Sequence, residues 1–340
     1  MHSIILAGGR GTRLRPLTTT IPKPIVPLMN RPFAHYQINS LARAGISDVV
    51  LSLSYLPEVI QTVLGDGSDI GAKLQYAVEP IPLGTAGACR FAAAGFDGPV
   101  VVLNGDVFTD LDLTQMIRFH NENRSMATLA LFPVADASAY GVVITDRSGR
   151  IVQFLEKPGP EAARKIGLTN INAGIYILEP EILDLIDDDQ AVSFEYDTFA
   201  RILELGLPFY GFIMQGNYWR DIGSPQSYLA AHMDCLAGAV KLPEDFLPLT
   251  SIRSEQAIIG KDCHLGKDVQ ILNCVVGPGT VVEEITYIEN SVIWGNSRIS
   301  ARSHISSSLI GESCHIGRNV SLNNAILGNE TVVADYSRSL

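Results

Sequence analysis

Between Ile259 and Val333 apolar residues return on a repeating count of 6, 6 and 5, so the pattern closes every 17 residues. The register runs Ile259, Leu265, Ile271, Val276, Val282, Ile288, Ile293, Ile299, Ile305, Ile310, Ile316, Leu322, Leu327 and Val333. Gly260, Gly277, Gly311 and Gly328 fall in phase with it, and Trp294 is the one exception. Small residues stack in the same register at Cys274, Ser291, Ser308 and Ala325. A step of six with three faces per turn predicts a parallel β-helix whose coils bury a shared apolar core.

That count also bears on the cysteines. The chain carries five, at 89, 235, 263, 274 and 314, an odd number with no C-x-x-C pair. They read as reduced and structural. The pairs Cys263-His264 and Cys314-His315 invite a zinc site, but 51 residues separate them, three whole coils. At the spacing of neighbouring strands they stand about 14 Å apart, too far to share an ion. About five short coils with no looped-out insertion leave no room for an acyl-CoA site either, so His264, His304 and His315 read as coil-surface residues. The domain reads as a module for assembly and stability.

At 340 residues the chain has room for two domains. The expected limits are a first domain at 1–237, a linker at 238–256 and the coil at 257–340. Net charge is −11, with 36 acidic against 25 basic residues, the opposite of a nucleic-acid binder's balance. No apolar run approaches a transmembrane length and no basic leader precedes an apolar stretch, so the expected setting is the cytoplasm.

The first domain alternates short apolar runs (Ser3 to Leu6, Asp48 to Leu53, Lys73 to Val78, Pro99 to Leu103) with amphipathic stretches. Such alternation predicts an α/β, Rossmann-like, mostly parallel sheet with right-handed crossovers. Ligands of such sheets bind beyond the carboxyl ends of the strands. Directly after the first run stands Leu6-Ala7-Gly8-Gly9-Arg10-Gly11-Thr12-Arg13, with Lys23 ten residues on. Its glycines remove side chains where backbone must approach a ligand, and successive N–H groups then form an anion nest. Arg13 and Lys23 add full positive charge. The spacing matches neither G-x-G-x-x-G nor the P-loop, so the reading is a polyphosphate loop of another type.

Two carboxylates stand at strand-to-turn junctions, Asp106 in Asn104-Gly-Asp106 and Asp221 in Trp219-Arg-Asp221. Either alone reads as a turn aspartate. Beside a phosphate loop they suit magnesium, which takes a couple of carboxylates, waters and substrate phosphate oxygens.

The run G-G-x-G-T-R-L-x-P-L-T with Pro22-Lys23-Pro24 resembles the signature of sugar-1-phosphate nucleotidyltransferases. The resemblance covers the first two-thirds of the chain with motifs in the family's order. It implies that Asp106 and Asp221 bind the metal, and that Lys157 of Glu156-Lys157-Pro158 binds the sugar phosphate. It further implies that Glu156, Asn172 and the backbone of Gly141 hold the sugar, and that Ser193 to Phe199 lies near it. The segment Glu79 to Gly87, with Gly84 and Thr85, matches the base-reading loop, so the nucleotide contacts run through Leu6, Ala7, Gly8, Gly9, Gly11, Thr12, Arg13, Lys23, Glu79, Gly84, Thr85 and Asp106.

Thymidylyl and uridylyl relatives commonly carry Gln where this chain has Glu79. A carboxylate only accepts hydrogen bonds, and guanine offers two adjacent donors to it. This favours GTP and mannose 1-phosphate, in keeping with a resemblance of the N-terminal half to mannose-1-phosphate guanylyltransferases. Glucose-1-phosphate thymidylyl or uridylyl transfer, and a non-catalytic subunit that senses nucleotide sugars, are the alternatives. Arg13, Lys23, Asp106, Lys157 and Asp221 are all present, which favours the enzyme. Resemblance to hexapeptide-repeat proteins implies left-handed winding of the coil. The expected assembly is a homo-oligomer, dimer or tetramer, with Mg2+ as cofactor.

Overall fold

The computed structural model describes residues 1–159, 161, 169–188, 190–243, 252–254 and 257–339. Much of the expected linker, residues 244–251 and 255–256, lies outside the described residues. The chain divides into two compact units, one of Met1–Gly9 with Ala34–Trp219, the other of Arg10–Phe33 with Arg220–Leu340.

The first unit is built on a nine-stranded mixed sheet. His2–Leu6 is its centre, paired in parallel with Asp48–Leu53 on one side and Val100–Asn104 on the other. Lys73–Val78 continues the parallel half. Ile4, Ile5, Val49, Leu51, Val100, Val101 and Val102 are all buried, the continuous apolar filling of strands covered on both faces. Beyond Val100–Asn104 the pairing turns antiparallel, through Thr169–Leu178 against Val100–Asn104 and Ala127–Val134, and Gly141–Thr145 against Ile151–Glu156, while Phe209–Ile213 runs parallel on Ala127–Val134. The pairing of Thr169–Leu178 slips between Asn172 and Tyr176, where Gly174 takes φ +73°. A bulge of this kind re-aims the side chains on either side of it.

In the second unit three sheets of short parallel strands stack in steps of 17. One sheet runs Ile258, Val275, Val292, Leu309, Ile326 in register, another Ile271, Ile288, Ile305, Leu322. Their inward residues, among them Ile288, Ile293, Ile299, Ile305, Ile310 and Ile316, form one buried cluster. The stack is consistent with a left-handed β-helix. The stacked serines do more than fill space. Ser308 N donates to Ser291 Oγ at 3.0 Å and Ala325 N to Ser308 Oγ at 3.0 Å, so hydroxyls satisfy buried backbone amides from coil to coil. Close backbone approach requires glycine at Gly260, Gly277 and Gly311: a Cβ on Gly277 would lie 2.3 Å from Gly295 N. One strand falls outside the count, Ile252–Ser254, which runs antiparallel on Ala257–Ile259.

The thiols of Cys274 and Cys314 are buried in the coil, and Cys263 Sγ reaches Gly277 O at 3.1 Å. All five cysteines are unpaired, and among the described residues no group of three or more His, Cys, Asp or Glu gathers. No described helix is long and apolar enough to cross a membrane.

Candidate active site

The first unit carries the carboxylate-bearing turn and the expected sugar pocket. Val100–Asn104 ends beside the exit of His2–Leu6, and Gly105 N donates to Leu6 O at 2.9 Å. A side chain at Gly105 would collide with that carbonyl, its Cβ 2.5 Å away, so glycine is what lets Asp106 follow so closely. Gln37, buried on the helix Phe33–Arg43, closes the turn from behind. Its Nε2 donates to Asn104 O at 2.8 Å and to Val107 O at 3.0 Å, the carbonyls on either side of Asp106. Sequence reading missed Gln37. The available signal was an amide set among Phe33, Ala34, Tyr36, Ile38 and Leu41 on a helix face that is otherwise apolar and buried.

Around the first glycines, Ala7 N donates to Ser52 O at 2.9 Å and Ser54 Oγ to Gly8 O at 2.6 Å. Glu79 is buried, only 8% exposed, and its carboxylate lies against Gly8. Oε1 accepts from Ser52 Oγ at 3.1 Å and Oε2 from Leu83 N at 3.0 Å. A Cβ on Gly8 would sit 2.9 Å from Glu79 Oε1, whereas Gly9 has open space on that side. Gly84 takes φ +73° at the start of the helix Gly84–Ala92, with Val192 O where a Cβ would go. Thr85 Oγ1 donates to Glu195 Oε2 at 3.0 Å and accepts from Phe194 N at 2.9 Å. Thr85 thus docks the segment Ser193 to Phe199 onto the loop expected to read the base.

On the antiparallel half, Gly141 pairs with Glu156 across adjacent strands, and a Cβ on Gly141 would lie 2.7 Å from Glu156 Oε2. Lys157 follows with φ +44°, a left-handed backbone uncommon for a residue with a side chain. Its N donates to Tyr140 O at 3.1 Å and its Nζ meets Glu156 Oε1 at 2.7 Å. The hydrogen bond to Glu156 raises the lysine's pKa above its ordinary value, so the charge is held through neutral pH. Asn172 is fixed at both ends of its amide: Oδ1 accepts from Gly174 N at 3.0 Å and Nδ2 donates to Tyr176 Oη at 3.0 Å. Tyr176, wholly buried, accepts from Asn104 Nδ2 and donates to Glu195 Oε1, both at 3.5 Å. Burial first, then the Glu195 charge, push this phenol well above its usual pKa, so it stays a neutral donor. Tyr176 and Glu195 thereby join the expected sugar side to the Asp106 turn.

The second unit carries the cations and the second aspartate. Gly11 takes φ +60° and its carbonyl accepts from Thr18 Oγ1 at 2.6 Å, which closes the loop over Thr12–Leu14. Arg13 Nη2 stands 3.8 Å from Asp221 Oδ2. Asp221 Oδ1 accepts from Gly223 N at 2.5 Å, and Ser227 Oγ donates to Asp221 O. A Cβ on Gly223 would lie 2.6 Å from both Arg13 Nη2 and Asp221 Oδ1, so a side chain there would displace one or both of them. Lys23 opens the short turn Lys23–Ile25 and is 8% exposed. The glycine-rich run expected to hold polyphosphate is divided in sequence between the two units. Leu6 to Gly9 fold with the sheet, and Gly11, Thr12, Arg13 and Lys23 fold with the coil.

Two family models together span most of the chain. Residues 2–238 match the nucleotidyl transferase family and residues 250–338 the GMPPB C-terminal domain. The chain belongs to the nucleotidyl transferase family, and it is a nucleotidyltransferase. It is 36% identical over 296 residues to the mannose-1-phosphate guanylyltransferase of Mycobacterium tuberculosis, covering 86% of this chain and 80% of that one. With the mannose-1-phosphate guanyltransferase of Yarrowia lipolytica it shares 35% identity across 99% of each chain. Among solved structures, HddC from Yersinia pseudotuberculosis superposes with a TM-score of 0.58 at 31% identity, covering 68% of this chain and 98% of that one. A second structure of HddC is complexed with GMP-PN, at a TM-score of 0.57.

Proposed function

We propose that the protein transfers a guanylyl group from GTP to mannose 1-phosphate, giving GDP-mannose and pyrophosphate. The observation that carries this reading is the agreement with mannose-1-phosphate guanylyltransferases along nearly the whole chain, coil included. Glu79 adds physical support. Each of its oxygens accepts one internal hydrogen bond, which leaves a lone pair on each for the N1–H and N2–H2 of guanine.

In the proposed reaction an oxygen of the sugar phosphate attacks the α-phosphorus in line, the bond to the β-phosphate oxygen breaks, and pyrophosphate leaves. Both reactants are anions, so the residues act by neutralising charge and aligning the phosphates. Lys157 holds the attacking phosphate, itself aimed by Glu156. Asn172, Glu156 and the backbone of Gly141 hold the sugar hydroxyls. Arg13 stabilises the leaving phosphates and Lys23 the charge that builds at the α-phosphate. No general base is needed, because the attacking oxygen is already deprotonated near neutral pH.

The donor chemistry of the two aspartates suits a hard divalent cation. The corner around Asp106 also holds acceptor in excess, since Asn104 Oδ1 is buried with no hydrogen-bond partner among the described residues. Asp106 and Asp221 would hold Mg2+, which when bound supplies Lewis-acid charge and a template for α- and β-phosphate oxygens. The reading carries with it the domain limits 1–237, 238–256 and 257–340, a homo-oligomer and a cytoplasmic setting.

Pyrophosphate release from GTP, ATP, UTP and dTTP, each with mannose 1-phosphate and with glucose 1-phosphate, tests the proposal. GTP with mannose 1-phosphate is expected to give the highest kcat/KM. A preference for UTP or dTTP with glucose 1-phosphate overturns the substrate assignment, and no release from any pair overturns the activity.

A further inference from the structure

Trp294 is the residue that breaks the glycine phase of the coil, and the structure gives it work that no glycine does. It is 3% exposed, and its Nε1 donates to Tyr228 Oη at 3.2 Å. Tyr228, on the helix Pro225–Leu236 and wholly buried, in turn donates its hydroxyl to Pro27 O. An indole N–H only donates, and a phenol donates once and accepts. The polarity of the chain is therefore fixed, from Trp294 through Tyr228 to Pro27, with every group satisfied.

Pro27 belongs to a two-residue hairpin, Pro27–Leu28 against Arg31–Pro32, that begins one residue after the turn Lys23–Ile25. The tip residues Met29 and Asn30 both have positive φ, 50° and 63°, the pairing of a type I′ turn. Met29 tolerates this conformation poorly by itself, and the surroundings hold it there. Met29 N donates to His232 Nδ1 at 3.4 Å, one helical turn beyond Tyr228. Asn30 Nδ2 donates to Val276 O of the coil at 3.0 Å. Upstream of Lys23, Asn329 Nδ2 donates to Thr20 Oγ1 at 3.1 Å. The peptide that carries Lys23 is thus tied to coil or helix on both flanks, and Trp294 and Tyr228 form the buried strut among these ties.

We propose that Trp294 and Tyr228 are positioning residues for nucleotidyl transfer, through which the β-helix sets the placement of Lys23. This rests on Lys23 acting at the α-phosphate, as described above. The coil then serves the reaction directly, beyond any part in assembly.

The test uses the full chain with Trp294→Phe, which keeps an aromatic ring and drops the N–H, and Tyr228→Phe, which drops the hydroxyl. Ile305→Val, in the coil core away from the strut, is the control. Each is measured for amide hydrogen exchange of residues 20–33, for thermal midpoint, and for kcat and both KM values. The proposal expects faster exchange across 20–33 in both strut variants and a several-fold rise in KM for the nucleotide or fall in kcat, with KM for sugar phosphate unchanged. The double variant should lose little more than either single one, because both interrupt one chain of bonds. Ile305→Val should lower the thermal midpoint and leave exchange at 20–33 and the kinetic constants alone. Unchanged exchange and kinetics in Trp294→Phe overturn the proposal even if Tyr228→Phe fails to fold. Lys23→Ala separates the two levels. If exchange responds to the strut but Lys23→Ala transfers at the parent rate, the role given to Lys23 is wrong and with it this inference. If Lys23→Ala is crippled and the strut variants are normal, only the strut falls.

Discussion

The coil and the sheet unit solve the same problem, the placement of buried backbone, by opposite means. In the coil the neighbour of any residue in space is the one 17 positions away, as Val275 is for Ile258 and Val292 for Val275. In the sheet unit the neighbours of Asp106's turn come from strand His2–Leu6 and from Gln37, at unrelated distances along the chain. A repeat written into the sequence can be counted, whereas a nonlocal clamp has to be seen. The coil therefore tolerates a departure only where something compensates for it, and Trp294 is that departure.

The largest expected effect lies in the sheet unit. Lys157→Ala should lower kcat/KM roughly 10²–10³-fold, by analogy with loss of one preorganised donor to a developing anion, while thermal unfolding stays near the parent. Steady-state kinetics beside a melting curve checks this, and parent turnover would remove Lys157 from the mechanism. In the coil the balance reverses. Ile305→Ala, at a fully buried position, should cost about 2–5 kcal/mol of stability in denaturant unfolding, with kinetic constants held wherever the protein stays folded. A loss of activity without a loss of stability would break the division of labour between the two regions.

Gln37→Leu sharpens the comparison, because it keeps the volume and removes both donors to Asn104 O and Val107 O. Two buried carbonyls lose their partner, which should cost about 1–3 kcal/mol. The Mg2+ concentration for half-maximal rate should rise several-fold, since the Asp106 turn is no longer held. If stability falls with the metal requirement unchanged, Gln37 only supports the fold.

The smallest effect is a pH slope. His232 is fully buried, and burial pushes its pKa down to about 3, so it is neutral in the fold and charged when unfolded below its ordinary value near 6.5. The unfolded state then binds the extra proton, and stability must fall as the pH drops through that window. The expected loss is about 1 kcal/mol between pH 6.5 and 5.5. Equilibrium unfolding of the parent against His232→Gln across that range checks it, and equal slopes would show that another group sets the acid sensitivity.

Much of the candidate site's local backbone was legible because its residues sit at strand exits and glycine turns, where local sequence dictates backbone. Gly105 must be glycine because Leu6 O occupies the place of its Cβ, and a Cβ on Gly141 would displace the Glu156 carboxylate and the Phe154 ring. Glu156 and Lys157 were singled out through the motif Glu156-Lys157-Pro158, whereas the ion pair between them is visible only in the structure. Glu195 lay inside the segment Ser193 to Phe199 and Tyr176 stands four residues beyond Asn172, yet their part in joining Asn172 to Asn104 and Thr85 depends on elements that meet only in the fold. The resemblance likewise singled out Gly84 and Thr85, but their tie to Val192, Phe194 and Glu195 has no local signature.

The sequence by itself determined the coil, because a helical stack of fixed rise turns spatial neighbours into a constant offset along the chain. It also determined the chemistry on offer, a glycine loop with two cations, two strand-exit carboxylates and a lysine and a glutamate before a proline. The tertiary structure decided which parts hold which. The run after the first strand divides at Gly9, and its cations fold with the coil. An indole in the place of a glycine reaches Pro27 through Tyr228. Such hydrogen bonds join groups far apart in the chain, and no local pattern encodes which of them will meet.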